Sequence, residues 1–347
     1  MTEAIINVGI AAFGMSGKIF HAPFLNADKR FNLKKVFERT TNKAKEEYPS
    51  IQTVRSFEEL LEDDINLVII CTPNTLHYSM AKQALEAGKN VIVEKPICVT
   101  SVQALELTTI AKDKNLVFTA FQNRRFDGDF LTVKRLIKEG LLGKVVDYEA
   151  HYDRYVQTPS SKEWKSKGGD GVNILYDLGV HLIDQAYSIF GKPQEVYADF
   201  RKQLAFTPDF DNFEVILYYK EKKAELKASQ VVANPGPHFV VHGTKGSFIK
   251  YGMDPQEENL VKGLRPPMEI GVDIKENYGT LVTIENGEKH QEQVETTVGN
   301  YGEFYSNVYD TIVNNRKLVV KPEQAVDVLK IIEAAIKSNK SKQREKV

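Results

Sequence analysis

Cysteine is scarce. Cys71 and Cys98 are the only two in 347 residues. They form neither a CxxC pair nor part of a ligand cluster, so a disulfide framework and a zinc site are both excluded as organising features, and no metal is expected. A surplus of charge is missing as well. Forty-six Lys and Arg stand against 47 Asp and Glu, a formal net charge of −1. No overall field draws such a chain to nucleic acid or to an anionic membrane. Long apolar runs are absent: stretches such as Leu67–Cys71 fall far short of the roughly 20 residues that span a bilayer. The first eight residues carry Glu3 and lack the basic and apolar regions of a secretory signal. A cytoplasmic location is the expectation that is left.

What is present is ordinary for a globular protein: 42% hydrophobic and 27% charged residues. A chain of this length exceeds one ordinary core, so two domains are expected. Apolar strand-length runs at Ile5–Ala11, Leu33–Phe37, Leu67–Thr72, Val91–Val93 and Leu116–Phe121 alternate with helical patterns. Pro23 should kink or shorten the first helix. Ser56-Phe57-Glu58-Glu59 fits a capping box, Leu76–Ala87 is amphipathic and stops at Gly88, and Thr100 can cap a helix running to about Asn115. This alternation implies right-handed βαβ crossovers and a parallel sheet.

The pattern changes near Gln122. After a helical Phe130–Glu139, strand candidates dominate: Lys144–Tyr155, Glu195–Phe206, Phe213–Tyr219, Glu225–Val232, Phe239–Gly243 and Ser247–Tyr251. Leu281–Val294 carries Asn286-Gly287, a hairpin signal. Helices are expected at Asp177–Phe190 and Pro322–Ser338, with the basic last ten residues frayed. The fold expected is an α/β N-terminal Rossmann domain over 1–121, followed by a C-terminal α+β domain over 122–347. The second has a large, mostly antiparallel open sheet and a final helix packing back.

Three segments carry chemistry. The first is Ala12-Phe13-Gly14-Met15-Ser16-Gly17, placed between a strand and a helix like the GxGxxG turn that brings backbone N–H groups to a pyrophosphate. Its first glycine is replaced by Ala12. Glu38, at the end of the second strand, is placed to accept from an adenosine ribose, which favours NAD. Arg39 and Thr40 beside it would suit a 2′-phosphate and keep NADP open. The second is Glu94-Lys95-Pro96, where a lysine projects beyond the carboxyl end of a strand. The third is Asp177-Leu178-Gly179-Val180-His181, with a carboxylate and an imidazole four apart on one helix face, suited to acid/base work. Each segment also has a plain structural reading: a turn, a loop and a helix-surface pair.

Together with Phe20-His21-Ala22-Pro23-Phe24-Leu25, Thr72-Pro73-Asn74-Thr75-Leu76-His77 and Gln122-Asn123-Arg124-Arg125-Phe126, these segments run in order over essentially the whole chain. In this they resemble the glucose–fructose oxidoreductase/inositol dehydrogenase (Gfo/Idh/MocA) family, and a branch that includes NADP-dependent scyllo-inositol dehydrogenase-like proteins. The resemblance implies hydride transfer between a nicotinamide and a secondary alcohol of a sugar, inositol or related polyol. It implies that Lys95 contacts cofactor and reacting hydroxyl, that His181 is the acid/base and that Asp177 stands beside it. Phe13, Gly14, Met15, Ser16, Gly17, Glu38, Arg39, Thr72, Pro73, Asn74, His77, Glu94, Asn123 and Arg124 would meet the cofactor. Tyr152, Arg154 and Trp164 would line the substrate pocket. An exposed sheet face predicts a homodimer or homotetramer. Two alternatives come with the family: an NAD-dependent glycosidase, and a non-catalytic dinucleotide-sensing regulator, which the retained Lys95 and His181 disfavour.

Overall fold

The computed structural model describes residues 4–159, 168–169 and 171–347. Two compact units emerge, and neither is continuous in sequence. The first comprises Met1–Asn123, Gln256–Ile270 and Asn300–Val326; the second comprises Arg124–Pro255, Gly271–Gly299 and Asp327–Val347.

The first unit is built on a six-stranded sheet with strands β1 (Ile6–Ala11), β2 (Phe31–Phe37), β3 (Gln52–Val54), β4 (Leu67–Ile70), β5 (Asn90–Glu94) and β6 (Phe118–Phe121). Their order is β3-β2-β1-β4-β5-β6 and every pairing is parallel. This is the doubly wound arrangement, whose ligand crevice lies beyond the carboxyl ends of the strands. The whole of β4 is buried, as befits a strand covered on both faces. Helices α1 (Ala22–Ala27), α2 (Lys43–Glu47), α3 (Asn74–Glu86) and α4 (Ser101–Asp113) follow the strands. Thr100 and Gln103 close a full capping box on α4, and Gly88 ends the α3 connection at φ 76°.

Pro23 shortens the first helix in a specific way. A wide π-helical turn, Gly17–His21, comes first, and α1 restarts with Pro23 in its opening turn, where a missing N–H costs nothing. At Ser56 only half of the expected box forms: the Glu59 carboxylate accepts from the Ser56 N–H at 2.8 Å, ahead of a short 3₁₀ turn, Glu58–Leu60.

Two late segments complete this unit with α7 (Gln256–Val261) and α8 (Gly302–Asn314). The buried face of α8 is Phe304, Tyr305, Val308 and Tyr309. Its rings meet Phe24, Phe31 and Phe121 at centroid distances of 5.0–6.4 Å. Burying each such side chain is worth about 1.5–3 kcal/mol. That gain explains why residues 300–326 belong with the N-terminal sheet, which a single division at 121/122 does not provide for.

The second unit is built on a nine-stranded sheet, ordered β14-β13-β12-β11-β7-β10-β9-β8-β15. Its strands are β7 (Val145–His151), β8 (Glu195–Arg201), β9 (Asn212–Tyr218), β10 (Lys223–Ser229), β11 (Phe239–Gly243), β12 (Gly246–Lys250), β13 (Gly279–Glu285), β14 (Glu288–Val294) and β15 (Glu345–Lys346). Only β7 and β10 pair parallel. The β13–β14 hairpin turns through Asn286 and Gly287, both at positive φ. Strands β8, β9 and β10 alternate buried and half-buried positions, so one sheet face is covered. Helices α5 (Gly128–Lys138) and α6 (Val180–Phe190) belong here.

The basic tail is not frayed, contrary to expectation. Helix α9 (Pro322–Ser341) runs past Ser338, whose hydroxyl accepts from the Ala198 N–H at 3.0 Å, and Glu345–Lys346 add to the sheet beside β8. Backbone pairing with an otherwise open strand edge holds the last residues.

Candidate active site

In the first unit the glycine-containing turn expected to meet a cofactor follows β1. Ala12 sits at φ 79°, the left-handed conformation that the missing first glycine would adopt, and its N–H donates to the Phe37 carbonyl at 3.1 Å. A side chain there costs roughly 1–2 kcal/mol. The turn is therefore made, under strain, in spite of the substitution. A Cβ built on Gly14 would meet no protein atom within 4 Å, so its face is open to an approaching group. A Cβ on Gly17 would lie 2.6 Å from the Ala12 carbonyl oxygen, which reserves that position for glycine. Phe13 is buried edge-on to Tyr48, whereas Met15 is exposed.

Two buried polar atoms near the carboxyl ends of the strands have no hydrogen-bond partner among the described residues. They are Thr72 Oγ1, two residues after β4, and Gln122 Oε1, directly after β6. An open glycine face and orphaned polar atoms at the rim of a parallel sheet fit a dinucleotide. Pro73 precedes α3 and Asn74 opens it.

Glu38 is placed differently from expectation. It is buried, and its carboxylate accepts from the Thr41 hydroxyl at 2.5 Å and from the Lys43 and Ala44 N–H groups at 3.1 and 3.0 Å. It thus supplies acceptors to the first turn of α2, while Arg39 and Thr40 are exposed.

His77 is also turned inward. It is fully buried, with Nδ1 2.8 Å from the Pro96 carbonyl and Nε2 2.9 Å from the Thr72 carbonyl. It ties the loop after β4 to the loop after β5, and burial pulls its imidazole below the usual range.

Glu94 closes the floor. Its carboxylate accepts from Ser16 Oγ on the phosphate turn, from His21 Nε2 at 3.0 Å and from the Lys95 N–H at 3.1 Å. Burial alone would raise this carboxyl. The bonds from His21 and Ser16 and the Lys95 charge outweigh it and hold the group below the usual range. His21 had no role in the sequence reading beyond its place in a motif. Its signal was a histidine four positions after the last glycine of the turn, on the same face as that turn.

The second unit carries Asp177 and His181, the residues expected to do acid/base work. Asp177 lies in a wide turn, Leu175–Gly179, that leads directly into α6, which bears His181. Asn173 Oδ1 accepts from the N–H groups of Leu175 and Tyr176 at 3.2 and 3.3 Å and opens the turn. Gly179 is closely packed: a Cβ would lie 2.7 Å from Leu175 Cδ1 and 3.1 Å from the Phe213 ring, side chains that would have to shift. His181 is buried and Asp177 half-buried.

Arg124 Nη2 donates to the Tyr152 hydroxyl at 2.7 Å, and Arg154 lies over the Tyr152 ring at 5.0 Å. Asn123 is buried. Arg125 and Asp184 form a buried bidentate pair, both bonds 2.6 Å, so Asp184 is engaged in structure. No cluster of three His, Cys, Asp or Glu suited to a metal occurs among the described residues. Trp164 lies outside the described residues. Among those described, no helix is long and apolar enough to cross a membrane.

Comparison with known proteins decides the family. Residues 6–122 match the NAD-binding Rossmann fold of an oxidoreductase family, Gfo/Idh/MocA, and residues 134–347 match its C-terminal alpha/beta domain. The chain belongs to the Gfo/Idh/MocA oxidoreductases. Within that family it is 38% identical over 338 residues to the uncharacterized oxidoreductase YdgJ of Escherichia coli, covering 96% of each chain. It is 37% identical over 339 residues to scyllo-inositol 2-dehydrogenase (NADP(+)) IolW of Bacillus subtilis, covering 97% of this chain and 94% of that protein. The crystal structure of an oxidoreductase from Bacillus cereus superposes with a TM-score of 0.90 at 37% identity, covering 99% of this chain and 98% of that one. The chain is accordingly a dinucleotide-binding oxidoreductase of the Gfo/Idh/MocA type, with a parallel-sheet nucleotide domain and a mostly antiparallel second sheet.

Proposed function

We propose that the protein is an NADP-linked dehydrogenase acting on a secondary alcohol of an inositol, sugar or related polyol. The observation that carries the cofactor choice is Glu38. Three of its chain's own donors already hold its carboxylate, and the N-terminal turn of α2 offsets its charge. Such a group is a poor acceptor for a ribose hydroxyl and a weak repellent of a phosphate. The exposed Arg39 then supplies the planar guanidinium that suits a 2′-phosphate. This reverses the lean towards NAD that the bare sequence gave. The polyol class is supported by the likeness to scyllo-inositol 2-dehydrogenase over nearly the whole chain.

When bound, the nicotinamide supplies the two-electron acceptor or donor. In this reading His181 takes the proton from the substrate hydroxyl, and Asp177 favours the imidazolium that results. The Lys95 ammonium donates a hydrogen bond to the same oxygen and stabilises charge developing on it. Thr72 Oγ1 and Gln122 Oε1, both lacking partners among the described residues, bind polar groups of the cofactor. The half-exposed face of the nine-stranded sheet joins two copies of the chain as a homodimer, or further copies as a tetramer.

Calorimetric titration of cofactor-free protein tests the cofactor reading. NADPH should bind at micromolar concentration and NADH at least about tenfold more weakly, a gap of about 1.4 kcal/mol that Arg39→Ala should close. Tighter binding of NADH, weakened by Glu38→Gln, would overturn it. With inositols and NADP⁺, Lys95→Ala and His181→Ala should each lower turnover by about 10²–10⁴.

A further inference from the structure

Arg55 stands directly after β3 and reaches back to the turn that follows β2. The two strands are parallel neighbours, with Phe37 beside Val54, so both leave the sheet at its carboxyl edge. Nη1 of Arg55 donates to the Glu38 carbonyl at 2.7 Å and to the Thr41 carbonyl at 2.6 Å. Nη2 donates to the side-chain oxygen of Asn42 at 2.6 Å.

A guanidinium only donates and a carbonyl only accepts, so these bonds leave no choice of direction. Both hydrogens of Nη1 go to carbonyls that flank Arg39-Thr40, and the turn is closed on a single nitrogen. Arg39 and Thr40 project from it, exposed. Three of the five N–H bonds of Arg55 are spent in this way. The other two, on Nε and Nη2, have no acceptor among the described residues, and Arg55 is itself exposed. Nε and Nη2 share one edge of the guanidinium plane, the fork that meets two oxygens of a phosphate.

Exposed charge at this edge has one sign. Arg39, Lys43 and Arg55 are exposed and form no ion pair among the described residues. Glu38 is turned inward to Thr41 and the start of α2. Glu59 accepts from the Arg55 and Ser56 N–H groups at 2.9 and 2.8 Å and makes no ion pair with the guanidinium.

We propose that Arg55 determines cofactor specificity: it clamps the turn that presents Arg39 and Thr40, and its free edge gives the 2′-phosphate of the dinucleotide a second guanidinium. This rests on the NADP reading and adds to it a residue from a different strand. Lysine does not do the same work. One ammonium has three donors and no fork, so it would have to give up the clamp to meet the phosphate.

The test uses the full chain without cofactor. Calorimetry compares NADPH with NADH, which differ only in the 2′-phosphate. Arg55→Gln should weaken NADPH by about tenfold and NADH by less than about twofold. Arg55→Lys, which keeps the charge and loses the fork, should weaken NADPH by about threefold and leave NADH unchanged. Equal weakening of both cofactors would make the clamp purely structural and overturn the proposal. So would no weakening of either. If Arg55→Gln fails to fold, Arg55→Lys decides alone. A wild-type chain that does not prefer NADPH would overturn the NADP reading and this inference with it. A wild-type preference that both variants retain would overturn the inference and leave that reading intact.

Discussion

The two units each open a helix with a five-residue π-helical turn, Gly17–His21 in the first and Leu175–Gly179 in the second. Both turns hold a closely packed glycine, against backbone in the first and against side chains in the second, and both precede or contain a residue of the candidate site. What they do with that residue differs. The first buries its histidine completely and gives it a carboxylate and a phenol as partners. The second leaves its carboxylate, Asp177, half-exposed and passes the chain on to His181. One backbone device thus serves support in one unit and, in the proposed reading, reaction chemistry in the other. A widened turn lets successive side chains point where a regular helix would not allow, and the surroundings decide whether water or substrate can reach them.

The comparison is broken most directly at the glycines. Gly17→Ala drives a methyl group against a backbone carbonyl, which cannot yield, whereas Gly179→Ala meets side-chain atoms that can. Loss of about 3 kcal/mol is expected for Gly17→Ala, with dinucleotide binding abolished, and about 1 kcal/mol for Gly179→Ala. Denaturant unfolding checks this, and a larger loss at Gly179 would show that the turns are not equivalent devices.

A second measurement sharpens the contrast between the buried histidines. His238 in the second unit is buried, and its imidazole is driven down to about 3, chiefly by burial, with the Arg124 and Lys250 charges adding. The unfolded chain takes up this proton near 6.5, well before the folded one does. Stability should therefore fall as pH drops from 6.5 towards 3, by about 2 kcal/mol at pH 5 from this group. His238→Gln should flatten that part of the unfolding profile. The smallest effect is expected at Ala12→Gly, which relieves a left-handed alanine and should raise stability by about 1 kcal/mol. A lower melting temperature would mean that the Ala12 turn is held without strain.

Much of the frame was legible in the sequence because local rules suffice for it. Alternating runs and caps located five of the six parallel strands and the long helices Asn74–Glu86 and Ser101–Asp113, but not the short β3 or α2, and Asn286-Gly287 marked the hairpin. Gly302–Asn314 was legible in principle: Phe304, Tyr305, Val308 and Tyr309 follow a helical period. The run is rich in aromatic and polar residues, which blurs its stripe. What local rules could not give was the partner of each polar group. Glu38 sits where a ribose acceptor belongs, yet donors three to six residues later claim its oxygens. His21 and Tyr305 are 284 positions apart, and no spacing rule joins them. The basic tail reads as frayed by composition and is ordered by an edge strand far away in sequence.

The discontinuity of the first unit has a consequence for how the protein is made. Its aromatic layer is completed by α8, residues 302–314, so most of the second sheet leaves the ribosome before the nucleotide-binding core can close. The usual order, in which an N-terminal domain matures while the rest is still being translated, is not open to this chain. Until α8 arrives, Phe24, Phe31 and Phe121 lack their partner rings, and the nascent sheet presents an apolar face for which a chaperone is the natural interim cover.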